Sequence, residues 1–252
     1  MRTENLRHRM AAGERLTGTF LKIPEITVIE VLAETGLDFL CIDGEHGSWD
    51  RGRTDACLAI ARALDVPMLV RVGAGTEVEI LRALDAGAVG VVVPHVSTPE
   101  KARAVVAAAH FGRGGRGYAG TTRWAGFGAN KMPDVLARDA QTIVIAQIEE
   151  PEGVDAVEDI AAVDGIDGVF AGPSDLSISY GLNKVGSPEL FAALEKIAAA
   201  AKANDKCFVS WAADAATAKD WAARFGVQMF FVGADHGFIA AGARALAAEM
   251  KS

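Results

Sequence analysis

The 252 residues are half hydrophobic and 23% charged, enough apolar material for one sizeable core in one large domain. A formal net charge of −8 argues against a nucleic-acid binder, because phosphate neutralisation needs clustered Lys and Arg. The three scattered cysteines, Cys41, Cys57 and Cys207, form no CxxC pair, so neither a disulfide framework nor a zinc-thiolate site is expected. The charged stretch from Met1 to Arg15 has no apolar leader core, and no run is long enough to cross a bilayer. A cytoplasmic protein with no membrane and no nucleic-acid partner is expected.

In chain order, short apolar runs occupy Thr17–Lys22, Asp38–Asp43, Pro67–Val72, Val89–Val93, Ile143–Glu149, Asp167–Ala171, Lys206–Trp211 and Gln228–Val232. They are near-continuous rather than alternating, as strands buried on both faces are. Between them the sequence carries helix-boundary signals. Thr76 with Glu79 spells a capping box, and Ser97 with Glu100 repeats it beside Pro99. Ser187-Pro188 opens a further helix, and Asp214 caps one that ends near Gly226. Strands alternating with helices predict parallel βαβ units. Eight of them in this length predict an α/β fold of the (β/α)8 TIM-barrel type, one domain over residues 1–252; an open doubly wound sheet is the rival.

The barrel predicts chemistry just past the C-terminal ends of its strands. Polar residues gather there: Asp43-Gly44-Glu45-His46, Arg71, Gln147-Ile148-Glu149-Glu150, Gly172-Pro173-Ser174-Asp175 and Asp235-His236. Glu149 and Asp175 close neighbouring strands. Two converging carboxylates repel unless one takes a proton or a cation lies between them, and oxygen ligands suit Mg²⁺ or Mn²⁺. They equally read as separate carboxylates, with Asp175 capping a helical turn. His46 is either a structural histidine or a general base. Arg71 is a salt-bridge partner of Glu45 or Glu149, a donor to an oxyanion, or both.

Gly112 to Gly117 matches G-x-G-x-x-G but follows a helix rather than a strand, so it is not a dinucleotide site. Lys22 is the one lysine near a strand end worth weighing as an imine former, and nothing around it in sequence depresses its pKa. The longest irregular stretch, Phe111 to Asp134, reads either as a contact to the far end of a substrate, through Arg116, Arg123, Trp124 and Phe127, or as a packed lid or subunit contact.

The segments Asp43–His46, Val70-Arg71, Ala146–Glu149 and Phe170–Ser177, in this order and spacing, resemble the HpcH/HpaI aldolase family, in its 4-hydroxy-2-oxoheptanedioate or hydroxyketoacid aldolase branch, from about Gly18 to Leu246. The resemblance implies a divalent-metal-dependent pyruvate aldolase that reversibly cleaves 4-hydroxy-2-oxo acids to pyruvate and an aldehyde. It implies Glu149 and Asp175 as ligands of Mg²⁺, Mn²⁺ or Co²⁺, and Asp43 near the water on the metal. His46 matches the base, Asp85 the acid that strengthens it, and Arg71 the transition-state stabiliser. Gln147 and the Gly172-Pro173-Ser174-Asp175 turn, with Arg71, match the substrate contacts, the Ser174 N–H meeting the pyruvate carboxylate. A homohexamer with shared sites is implied, with the C-terminal helix packing on a neighbouring subunit and Asp85 reaching His46 across that boundary. Trp211 is a further candidate for the aldehyde pocket. The alternatives are a CoA-ester lyase of the malyl- or citryl-CoA type in the same superfamily, or a non-catalytic barrel subunit.

Overall fold

A computed structural model describes residues 2–251. Eight parallel strands close in sequence order into a barrel: β1 (Leu16–Leu21), β2 (Phe39–Asp43), β3 (Met68–Arg71), β4 (Gly90–Val93), β5 (Ile143–Ile148), β6 (Gly168–Ala171), β7 (Cys207–Ala212) and β8 (Met229–Ala234). The helices are α1 (Arg2–Ala11), α2 (Ile26–Ala33), α3 (Arg51–Ala63), α4 (Glu77–Asp85), α5 (Pro99–Ala109), α6 (Met132–Arg138), α7 (Pro151–Asp155), α8 (Val157–Ala161), α9 (Pro173–Ser179), α10 (Pro188–Ala203), α11 (Ala215–Phe225) and α12 (Asp235–Glu249). The expected (β/α)8 barrel is therefore the fold, and the open sheet is excluded because β1 pairs with β8.

Strand side chains alternate between two buried environments. Leu40, Ile42, Met68, Val70, Val144, Ala146 and Ile148 face the helix layer. Phe39, Cys41, Leu69, Ile143, Ile145, Phe170, Val209 and Phe231 fill the barrel interior. Because both faces are buried, the strands read as continuous apolar runs. This alternation also aims the polar residues. Asp43 follows Phe39 and Cys41 on the interior face, Arg71 follows Leu69, and Gln147 follows Ile143 and Ile145. The interior at its C-terminal mouth is thus polar, above an apolar plug.

Several local expectations hold. Thr76 and Glu79 form the reciprocal capping box, Ser187 accepts from the Leu190 N–H, and Asp214 caps α11, which ends at left-handed Gly226. One cap moves. Thr98, not Ser97, caps α5, accepting from the Lys101 N–H. Pro99 forces the residue before it into an extended conformation, which is the geometry an N-cap needs. The helix α1 is not anticipated by the sequence reading; its Leu6 and Met10 join the interior cluster with Leu16 and Met229 and close the barrel's N-terminal end. Met132 to Asp134, expected within the long loop, already belong to α6.

The rest of that loop is packed. The Arg116 guanidinium lies 4.7 Å from the Phe111 ring and 5.2 Å from the Trp124 ring, and pairs with Asp85 at 2.5 Å. Arg123 binds Asp55 and the Ala86 carbonyl, each at 2.6 Å. Cation–π contacts and ion pairs fasten the segment to α3 and α4. Arg116, Arg123 and Trp124 are committed to this packing, so of the two readings of the loop the packed one describes them.

The interior tolerates no added bulk where Gly90 opens β4: a Cβ there would overlap Ile143 of β5. Gly90→Ala should cost about 2 kcal/mol through overpacking. Urea unfolding should show a lower midpoint at unchanged slope, and an unshifted midpoint would contradict this packing.

Candidate active site

The floor of the C-terminal mouth is aromatic. Phe20 stacks on Phe231 at 4.6 Å between ring centroids, and Phe231 on Phe170 at 5.0 Å. The Arg71 guanidinium lies 4.5 Å above the Phe20 ring. The β2–β3 register makes Asp43 and Arg71 direct neighbours. Their side chains meet in a two-pronged pair, Nε to Oδ1 at 3.0 Å and Nη2 to Oδ2 at 2.8 Å. Asp43 also takes the His46 N–H at 3.1 Å and an ion pair from Lys22. Burial alone would raise the Asp43 carboxyl, but the hydrogen bonds and charge of Arg71, with Lys22 and the His46 N–H, outweigh it and hold it at about 2. Burial likewise disfavours charge on Arg71, and Asp43 and Glu45 more than restore it, so its pKa is raised. The Lys22 ammonium is engaged in this ion network, which argues further against an imine role.

Glu149 stands one interior-facing step beyond Gln147 and is almost fully buried. Burial raises its carboxyl pKa and Glu45 adds repulsion, against the Gln147 amide and the His95 N–H that favour the anion. The Gln147 amide nitrogen donates to one Glu149 oxygen, while Oε1 accepts from the His95 N–H at 2.8 Å. Gln147 Oε1 has no hydrogen-bond partner, and Glu45 Oε2 is held by its ion pair with Arg71 at 3.2 Å. Ligand atoms of Glu45, His95 and Glu149 lie within 4.8 Å of one another. This donor set of anionic oxygens and an imidazole fits a divalent cation better than it fits solvent.

A cavity of about 560 Å³ opens beside them, and its lining includes His46, Arg71, Gln147, Ser174, Asp175 and Trp211. His46 is held at its backbone by Asp43, and its half-exposed ring leans toward Glu45 at 3.8 Å. Pro173 opens α9 and lacks an N–H, and the Leu176 N–H already bonds Gly172. Ser174 and Asp175 thus sit in the first turn, where N–H groups have no intrahelical acceptor. Gly172 passes close to Glu149: a Cβ on it would lie 3.2 Å from Oε2.

The structure therefore brings Lys22, Asp43, His46, Arg71, Gln147, Glu149, Gly172, Pro173, Ser174 and Asp175 to one mouth. Asp175 does not join the Glu45–His95–Glu149 group. Asp85 stands apart, paired with Arg116 and lining a separate groove of about 910 Å³ with Gly44, Val72 and Arg123. The sequence reading does not single out His95, although it stands two residues past the fourth apolar run, where the strand-end rule points. Asp235 proves structural: its carboxylate accepts the N–H groups of Lys22, Ile23 and His236, tying the β1 and β8 ends together.

Comparison with known proteins shows what the chain is similar to. The family model described as HpcH/HpaI aldolase/citrate lyase matches residues 16–240. A hydroxypyruvate/pyruvate aldolase of Deinococcus radiodurans is 35% identical over 256 aligned positions, spanning 99% of this chain and 90% of the relative. A 5-keto-4-deoxy-D-glucarate aldolase of Salmonella arizonae is 35% identical over 248 positions, 96% of this chain and 94% of the relative. The crystal structure of an HpcH/HpaI aldolase/citrate lyase family protein from Burkholderia cenocepacia J2315 is similar with a TM-score of 0.94 at 33% identity, covering 99% of this chain and 100% of that one.

Removing the Asp43 carboxylate strands the Arg71 guanidinium at the barrel mouth. Asp43→Ala should cost about 4 kcal/mol, as broken buried pairs do. Chemical denaturation measures this, and a loss below about 1 kcal/mol, the scale of an exposed pair, would show that Arg71 does not depend on Asp43.

Proposed function

The chain belongs to the HpcH/HpaI aldolase/citrate lyase family, and from that premise we propose that it is a divalent-metal-dependent aldolase that reversibly cleaves 4-hydroxy-2-oxo acids to pyruvate and an aldehyde. The observation that carries this reading is the convergence of buried Asp43, Arg71, Gln147 and Glu149 at the C-terminal ends of β2, β3 and β5, beside a cavity that His46, Ser174 and Asp175 line.

Glu149 and Asp175 hold the ion, Mg²⁺ or Mn²⁺, with Co²⁺ as a further candidate. When bound, it supplies Lewis-acid polarisation of the 2-oxo group. Gln147 and the Gly172-Pro173-Ser174 turn orient the pyruvate half, the Ser174 N–H meeting its carboxylate. Asp43 would stand near water on the ion. His46 accepts the proton of the 4-hydroxyl as the C3–C4 bond breaks, and returns it in synthesis. Arg71, rigid between Asp43, Glu45 and the Phe20 ring, meets the negative charge that develops on oxygen. A preorganised guanidinium stabilises that charge without a reorganisation cost. Trp211 lines the aldehyde side of the cavity.

The assembly is a homohexamer working in the cytoplasm. Among the described residues no helix is long and apolar enough to cross a membrane. The α12 helix presents Phe238, Ile239 and Leu246 outward, with Met250 just past its end, which supports its packing on a neighbouring copy. In that assembly Asp85 of the neighbouring copy reaches His46 and strengthens it as a base.

Pyruvate release from a 4-hydroxy-2-oxo acid should disappear after EDTA treatment and return with Mg²⁺ or Mn²⁺. Glu149→Gln should lose metal-restored turnover while keeping the wild-type circular dichroism spectrum. Activity that survives complete metal removal, or borohydride trapping of pyruvate on Lys22, would replace this mechanism with an imine one. His46→Ala should lower kcat by roughly 10² to 10⁴ with metal affinity unchanged; equal loss of metal binding would make His46 a ligand. Arg71→Lys should lower kcat by about 10², the scale of one lost oxyanion donor, and a variant at wild-type kcat would remove Arg71 from the chemistry.

A further inference from the structure

Two residues past the fourth strand stands His95, a histidine with no part in the roles above. Its backbone is left-handed, with φ of 56°, which non-glycine residues seldom adopt. Such geometry persists where surrounding contacts over-determine it, and here they do. The His95 N–H donates to Glu149 Oε1 at 2.8 Å, and the Lys101 ammonium donates to its carbonyl at 2.9 Å. The ring is thereby turned among three carboxylates. Nδ1 lies 3.2 Å from Glu149 Oε1 and 3.1 Å from Glu150 Oε1, and Nε2 lies 3.5 Å from Glu45 Oε1.

We propose that His95 is a nitrogen ligand of the cation held by Glu149, and that it biases the site toward Co²⁺ and Zn²⁺ over Mg²⁺. The inference rests on the cation reading above and names the class of ion. Two ligand atoms at about 2.1 Å from one ion, at a right angle, lie about 3.0 Å apart. The 3.2 Å between Nδ1 and Glu149 Oε1 has that spacing. Ligand atoms of Glu45, His95 and Glu149 all lie within 4.8 Å of one another, so small side-chain turns bring them to about 4.2 Å, the span of opposite ligands of one ion. Glu45 Oε1, 3.5 Å from Nε2, is a further oxygen donor at the same place, while Oε2 is paired with Arg71. The His95 side chain is half-exposed, so its ring can turn from the Glu150 carboxylate to an ion without unpacking the core. Oxygen-only sets suit Mg²⁺, whereas an imidazole raises affinity for later first-row ions and zinc.

The test uses the full-length protein and metal salts alone. Pulsed electron paramagnetic resonance of the Mn²⁺-loaded protein should show coupling to a histidine ¹⁴N. His95→Gln should lose that coupling while still binding Mn²⁺. By calorimetry, His95→Gln should weaken Co²⁺ and Zn²⁺ tenfold or more, the scale of a lost metal-site contact, and Mg²⁺ by less than about threefold, since Mg²⁺ draws little on nitrogen. Bound Mn²⁺ without ¹⁴N coupling overturns the proposal. So does equal weakening of Mg²⁺ and Co²⁺, which is what a merely structural histidine would produce. Mn²⁺ binding that ignores both Glu149→Gln and Asp175→Asn would overturn the cation reading itself, a different result from either.

Discussion

The Asp43–Arg71 pair is the constraint from which the rest of the mouth takes its shape. Adjacent strands set the two residues side by side, and the barrel interior leaves them nowhere else to point. A guanidinium so enclosed needs a carboxylate, and a carboxylate so enclosed needs donors. Each supplies the other, while Phe20 carries the flat face of Arg71 and Lys22 and the His46 N–H complete Asp43. The outer edge of Arg71 remains free to reach Glu45 at 3.2 Å. The turn after β2 hangs from the same pair. The Gly44 N–H donates to the Arg71 carbonyl at 2.8 Å, and a Cβ on Gly44 would lie only 2.7 Å from that oxygen. His46 is thereby presented at the rim by a rigid support.

Charge decides what the mouth can bind. Asp43 is neutralised within the pair, whereas Glu149 and Glu45 repel each other across a desolvated gap. A buried carboxylate in that position takes up a proton or a cation. Burial outweighs the Gln147 amide and the His95 N–H and raises the Glu149 pKa, so a cation there would supply the charge compensation that the protein alone does not. The aromatic floor excludes water beneath the site, which strengthens each electrostatic contact above it.

The long segment after α5 serves the scaffold. Burying Arg116 between Phe111 and Trp124 would be costly without Asp85, and this pair secures the loop to the end of α4. Asp85 therefore has a structural partner inside its own chain whatever it meets across a subunit boundary. The exposed apolar face of α12 is the complementary feature, since a single chain leaves it uncovered.

Much of this was legible in the residues themselves. Eight apolar runs alternating with capped helices determine a barrel, because strands buried on both faces need continuous apolar sequence. Motif order then marks Asp43, His46, Arg71, Gln147, Glu149 and Asp175 as one group. Other features became legible only in three dimensions. The α1 helix is polar on most of its surface, and two buried residues, Leu6 and Met10, are too few to announce the end it closes. Thr98 replaces Ser97 as the cap because the backbone restriction before Pro99 outweighs the pattern of side chains. His95 acquires meaning only when a left-handed backbone turns its ring toward Glu45 and Glu149, residues separated from it by 50 and 54 positions. The sequence by itself determined which residues face inward at the strand ends, through a period of two. Which of those charges meet, Arg71 with Asp43 and Glu45 with Glu149, was decided by the closing of the barrel, because residues far apart in the chain become neighbours only there.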